Sequence, residues 1–478
     1  MKRYFFILFL LLFSFQETLP VLQTIDVSQR YTWGTDVSYI PAFSNDAIIQ
    51  ITVSNVIVDF QNHNFSQDPS SLAFTGLSAI VVSPNLSNIT LKNATIANIT
   101  GTGIIIGAGC SQITIENITT LSCDLCAIDL EGVAGNQISN SEISNCLISS
   151  CCQGSAGNYP LSIVQCNQTN VDNCRFYNNG NSLNQISVIK MDTYSQGVIQ
   201  NIIASSNIGG QSLITFDFAN AVQQVILQNC KIFSSAATLP SSTTIGYEVR
   251  NSATTSTNNI VQNCIMMNSQ PSATNGTVTG FDLNNAQNFL ISNCKFQNNQ
   301  AQSNINGFSL SSGSFNYIED CQVSNNICTG NGSFTGFNAN AVSTCKLAEC
   351  TIFNNQSTNA NAFGINLTSC NLTDLSLCTA QNITTTNGQS IGIQLLTCTN
   401  CSAKDCTTLR NSGQNANSSF GFNVVGGSGN IFIKNSSMGN GSNPGNHFYG
   451  LNQNNTAAGP GTNTNGNANP WTNFGITG

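Results

Sequence analysis

The sequence predicts an all-β chain, a right-handed parallel β-helix of about 13–15 coils with three short strands per coil. Loose copies of one motif return about every 28 residues, as in "VDNCRFYNN" and "LISNCKFQNN". Within each copy, short runs alternate apolar and polar residues and are broken by Gly, Asn and Ser. Helix-capping signals are missing, and each unit is shorter than the roughly 33–47 residues of helix-pair solenoids.

The elements follow in order. "MKRYFFILFLLLFSF" places Lys2 and Arg3 before a run of about ten apolar residues, a secretory leader over 1–20 too short to span a bilayer. Residues 21–50, with Tyr31, Trp33 and Tyr39, form an N-terminal cap over the open strand edges of the first coil. The helix itself runs over 51–451. Taking the Cys of "NC" as reference, the register reads Ala94, Ile118, Ser141, Cys174, Ile202, Cys230, Cys264, Cys294, Cys321, Cys350, Cys378, Cys406 and Ser436. A large apolar residue stands thirteen positions earlier at Ile128, Leu161, Ile189, Phe281, Phe308, Phe337, Ile365 and Ile393, often after Gly. Coils then stack at about 4.8 Å, with Cys294 and Phe296 inward and an Asn ladder four residues past the reference, from Asn98 through Asn298 to Asn440, where αL geometry turns the strand. Residues 452–478 are a Gly/Asn/Thr-rich tail whose Trp471 and Phe474 fold back as a lid or dock on a partner.

Twenty cysteines in an exported chain invite disulfides. Eight share the reference column, where parallel side chains about 4.8 Å apart suit a reduced ladder better than S–S bonds. Cys370 with Cys398, or Cys123, Cys126, Cys146, Cys151 and Cys152 among themselves, remain free to pair. With His63 and His447 the only histidines, no structural metal site is expected.

The pattern resembles the pectin lyase-like superfamily of right-handed parallel β-helices over roughly Ile51 to Leu451, and "ITVSNVIVDFQNHNF" is similar to the opening coil of many secreted members. "FYNN" at Phe176 and "FQNN" at Phe296 also resemble the passenger repeats of chlamydial polymorphic outer-membrane proteins. The superfamily resemblance implies activity on the outer face of one sheet.

That face is readable as the residue after each apolar anchor: Asp129, Ser162, Lys190, Asp217, Glu248, Asp282, Ser309, Asn338, Asn366, Gln394 and Asn423. Asp192 and Arg250 lie two positions further on. Only 7% of residues are charged and the net charge is −8, which argues against nucleic acid as a partner. In so neutral a chain, stacked carboxylates with an Arg suit paired acid work on a glycosidic bond, or a bound Ca²⁺. Asp217, Glu248, Asp282 and Arg250 are therefore the expected catalytic set of a divergent polysaccharide lyase or glycoside hydrolase. Lys190, Asp192, Ser309, Asn338 and Asn366 are the expected ligand-binding set. The motifs that polygalacturonase-like hydrolases carry (NTD, DD, GHG, RIK) are absent. The leading expectation is thus an exported binding or adhesion scaffold for glycans or a host surface, with no membrane span in the mature chain. The enzyme and a structural stalk are the alternatives.

Overall fold

The computed structural model describes residues 23–40, 46–71, 76–154, 159–250, 256–271, 275–414, 418–440 and 447–449, with the backbone of 456–457, 460–461 and 473–476. The expected leader and Trp471 lie outside the described residues. The fold is an all-β parallel solenoid of about 14 turns. Among the described residues, no helix is long and apolar enough to cross a membrane.

Packing divides the chain between Ile203 and Ala204. In the first unit, one parallel sheet takes its strands in the order Gln23–Ile25, Ala47–Ile51, Ser78–Val82, Ile104–Ile106, Ile128–Glu131, Leu161–Val164 and Gln185–Asp192. In the second, the corresponding order is Ser212–Ala219, Thr243–Arg250, Thr277–Asn284, Ile305–Ser311, Phe334–Asn340, Ala362–Thr368, Ser390–Leu396, Ser419–Val425 and Phe448–Tyr449. The segment expected as a cap contributes parallel strands of its own at Gln23–Ile25, Arg30–Thr32 and Val37–Tyr39. Trp33 is buried there, edge-on to Phe65 at 5.4 Å. In the tail, Thr456–Ala457 and Asn473–Ile476 pair in parallel with Ile431–Phe432 and Ser436–Met438.

Single residues in the left-handed region make the bends, five positions apart. In one coil these are Asn288 (φ 53°), Asn293 (φ 48°) and Asn298 (φ 56°); in the next, Phe315, Asp320 and Asn325. Asn accepts this geometry more readily than most residues, which accounts for its abundance. Each corner also resets the in–out alternation. Cys294 and Phe296 point inward as expected, Asn298 turns the chain, and Asn299 is then buried. The Asn299 N–H donates to Asn326 Oδ1 at 2.9 Å, and the Asn326 N–H to Asn355 Oδ1 at 3.0 Å. Asn326 Nδ2 donates to the Phe296 carbonyl at 3.2 Å. The buried amide ladder therefore lies five residues past the reference. Some corner amides bond as the sequence predicts, Asn382 Nδ2 donating to Asn354 Oδ1 at 3.0 Å.

Two reference positions need correction. Leu147 pairs with Arg175, so Cys146 rather than Ser141 shares the column of Cys174; likewise Thr407 pairs with Ser436, which puts Asn435 opposite Cys406. The first slip has a physical cause. A tight turn closed by reciprocal Val133 and Asn136 backbone bonds inserts five residues between Ile128 and Cys146. Asn145 therefore precedes the reference, and Asn440 is a buried inward residue.

All twenty cysteines are buried and none forms a disulfide. Cys370 and Cys398 sit at equivalent positions of adjacent coils, each thiol donating to the carbonyl two residues back, Thr368 at 3.3 Å and Leu396 at 3.5 Å. Side chains aimed alike do not meet as an S–S bond requires. The main column behaves the same way, with Cys294, Cys321 and Cys350 donating to Ser292, Glu319 and Ala348 at 3.2–3.3 Å. Burial pushes all three thiols well up, so they stay neutral. The pairings left open for Cys123, Cys126, Cys146, Cys151 and Cys152 are not formed.

The glycine before the apolar anchor has a steric reason. A Cβ on Gly280 would stand 2.5 Å from the Gly307 carbonyl oxygen and 2.5 Å from the Phe296 ring. Gly307 and Gly336 make the same close approach to Val323 and Ile352. Removing the side chain lets the anchor sheet close onto the wall that carries Phe296. The anchors behind it stack: Phe216, Tyr247, Phe281, Phe308 and Phe337 have ring centroids 4.5–5.0 Å apart and planes within 5°. This is a rigid apolar floor beneath the outer column.

Candidate functional site

The outer column of the second unit forms in the register the sequence predicts. Asp217 pairs with Glu248, Glu248 with Asp282, Asp282 with Ser309, and the series continues through Asn338, Asn366, Gln394 and Asn423. In the first unit, Asp129, Ser162 and Lys190 align the same way, with Glu131, Val164 and Asp192 beside them. Lys190 Nζ lies 3.8 Å from Asp192 and 4.5 Å from the centre of the Tyr159 ring.

Burial separates residues that register makes equivalent. The expected row of exposed acids fails at Asp217, whose side chain is 0% exposed. Arg250, one coil on and two residues along, lies across it. Its Nε donates to Asp217 Oδ1 at 3.1 Å and its Nη2 to Oδ2, a two-point clamp. Glu248 Oε2 lies 3.0 Å from the same Nε, yet makes no hydrogen bond, because that N–H is directed at Asp217. Burial consequently dominates at Glu248. It pushes the carboxyl up to about 8 despite Arg250, with Asp217 and Asp282 adding to the rise. Burial also raises Asp282, partly offset by its hydrogen bond to Ser309.

This arrangement limits the chemistry. Asp217 is committed to Arg250 and has no face open to a substrate. Glu248 is protonated at neutral pH and can donate a proton, while Asp282 stands one coil away. Among the described residues, no three His, Cys, Asp or Glu side chains converge to hold a metal. The acidic strip is a poor match for Ca²⁺, which takes about six to eight oxygens, because Arg250 fills the space between the carboxylates. His63 is engaged by Asp36 at 3.1 Å, and buried His447 by Ser437 at 3.0 Å; neither stands at the column.

The neutral stretch beyond Asp282 is half-buried from Ser309 to Gln394, and Asn423 is buried. Asn366 Nδ2 donates to Asn338 Oδ1 at 3.0 Å, and Asn366 Oδ1 has no partner. Ser309, Asn338 and Asn366 are thus brought together, while Lys190 and Asp192 belong to the first unit.

Sequence reasoning missed a groove on a different face of the first unit. It has a volume of about 650 Å³ and is lined by Asn88, Gln112, Thr114, Asn140, Ser141, Glu142, Gln168 and Asn170. Asn88, Gln112, Asn140 and Gln168 are successive corners, with φ between 50° and 56°. The amides sit six residues before the true reference, a column visible only once Cys146 replaces Ser141.

No protein-family model matches the sequence, and no curated protein matches it. Several solved structures are similar over much of their length. The tailspike protein of E. coli bacteriophage HK620, determined with a pentasaccharide, is similar at 12% identity, covering 87% of this chain and 74% of that one, with a TM-score of 0.38. The A-module of a mannuronan C-5 epimerase from Azotobacter vinelandii covers 89% and 91% at 12% identity, with a TM-score of 0.37. A surface adhesin of Streptococcus pneumoniae covers 69% and 82% at 12% identity, with a TM-score of 0.29.

Proposed function

We propose that this chain is an extracellular or surface scaffold that binds glycans without cleaving them. One observation carries the reading: the outer column offers hydroxyl and amide side chains on successive coils, from Ser309 to Gln394, beside an acidic end whose Asp217 is clamped by Arg250. Neutral donors and acceptors at a fixed rise suit sugar hydroxyls. Asp217 and Arg250 occupy each other, so neither is free to act as nucleophile or base, and only Glu248 and Asp282 remain as an acidic pair. Incubation of the protein with a polysaccharide panel, with and without Ca²⁺, tests this by following binding and the release of new chain ends together. Binding without new ends is expected; cleavage lost in Asp282→Ala would reject the scaffold reading. A stalk would bind nothing in the panel.

A second reading rests on Glu248. A carboxyl raised to about 8 beside a second carboxyl one coil away is the environment of a general acid in glycoside chemistry. On that reading, turnover falls as pH rises through about 8 and is lost in Glu248→Gln.

A further inference from the structure

None of the outer-column residues lines the groove on the first unit. Four corner side chains from successive coils form one wall: Asn88, Gln112, Asn140 and Gln168. Thr114, Glu142 and Asn170, paired in register, form the other. The two ends of the corner row are engaged. Asn88 Nδ2 donates to Asn55 Oδ1 at 3.0 Å, and Gln168 Nε2 donates to Gln196 Oε1 at 3.3 Å. Between them, the exposed Gln112 and Asn140 amides have no partner among the described residues. Amides bond their neighbours readily at this spacing elsewhere, as Asn117 does with Asn93 at 2.7 Å and Asn173 with Asn145 at 2.7 Å. The row is therefore interrupted at its two central positions along the groove.

From this geometry we infer that the groove is a binding site for an uncharged, hydroxyl-rich oligosaccharide lying along the coil stack, with Gln112, Asn140 and Glu142 as its principal contacts. Each side-chain amide presents an acceptor and two donors, which matches sugar hydroxyls acting in both senses. The Glu142 carboxylate accepts from two adjacent hydroxyls at once, and a charged acceptor strengthens both bonds. It is the only charged group among the lining residues, and no cation lines the groove, so an anionic glycan would meet repulsion there. The coil rise of about 4.8 Å is comparable to the length of one sugar in an extended chain, so successive rings can meet successive corners. The contacts are open to solvent, which favours weak, multi-point binding.

This inference deepens the scaffold reading and rests on it, but it can fail alone. The full chain would be titrated calorimetrically with cellohexaose, maltohexaose, laminarihexaose and mannohexaose as neutral probes, and with polygalacturonate as an anionic one. Binding of at least one neutral hexaose is expected, weakened tenfold or more in Gln112→Ala/Asn140→Ala and in Glu142→Gln, with Asn325→Gly, a corner of the second unit that lines neither surface, unchanged. Circular dichroism and the thermal midpoint establish that each variant is folded. If binding survives Gln112→Ala/Asn140→Ala but is lost in Asn338→Ala/Asn366→Ala, the groove inference falls and the scaffold reading stands. Preference for polygalacturonate over every neutral probe also overturns the groove inference. Should the folded protein bind none of the probes, the groove inference falls, and the wider polysaccharide panel then decides the scaffold reading.

Discussion

Along one outer column of the second unit, two stretches rest on one apolar floor, stacked aromatics from Phe216 to Phe337 and then Ile365 beneath Asn366, and behave differently. At Asp217, Glu248 and Asp282 the side chains are charged or titrating, and one is sealed beneath an arginine. At Ser309, Asn338 and Asn366 they are neutral, half-buried and partly bonded to each other. Identical backbone register thus yields a locked ion cluster in one place and an open polar ribbon in the other. Backbone geometry places the column; desolvation decides which of its members remain available.

The contrast can be broken most sharply at Arg250. Arg250→Met removes the two-point clamp from buried Asp217, and stability should fall by about 3–5 kcal/mol in urea unfolding. A loss below about 1 kcal/mol would show that Asp217 gains water or other partners. Glu248 sharpens the contrast through pH. Its folded carboxyl holds a proton up to about 8, whereas the unfolded one releases it near 4.5. The folded state therefore binds more protons between those values, and stability should decline as pH rises through that window. At about 1.4 kcal/mol per pKa unit, the decline is measurable, and Glu248→Gln should abolish it.

Buried and exposed asparagines provide a smaller test. Asn326→Ala strips a bonded interior amide and should cost about 1–3 kcal/mol. Thermal unfolding of Asn325→Gly, at the corner beside it, should shift little, because glycine accepts φ 56° freely. The smallest effect belongs to the neutral ribbon: Asn338→Ala should change stability by no more than about 0.5 kcal/mol. A larger loss there would make the ribbon part of the framework and weaken its claim as a ligand surface.

Much of this fold was legible because two columns, the thiols and the apolar anchors, repeat with little variation. The Gly–anchor pairing was visible as a pattern, and the contact of Gly280 with Phe296 explains it. What escaped has physical causes. Alternation at period two holds only between corners, so the second Asn of "NN" lies inside although simple counting places it elsewhere. A five-residue turn around Val133 hid Cys146 behind Ser141 and, with it, the corner column that lines the groove. The outward direction of Asp217 was readable from the anchor, but its burial depends on where Arg250 folds over it.

The unspent thiols carry a consequence for how such a chain comes to exist. Thiols such as those of Cys294, Cys321 and Cys350 hold backbone carbonyls as protonated groups, so their oxidation before the coils close would compete with that packing.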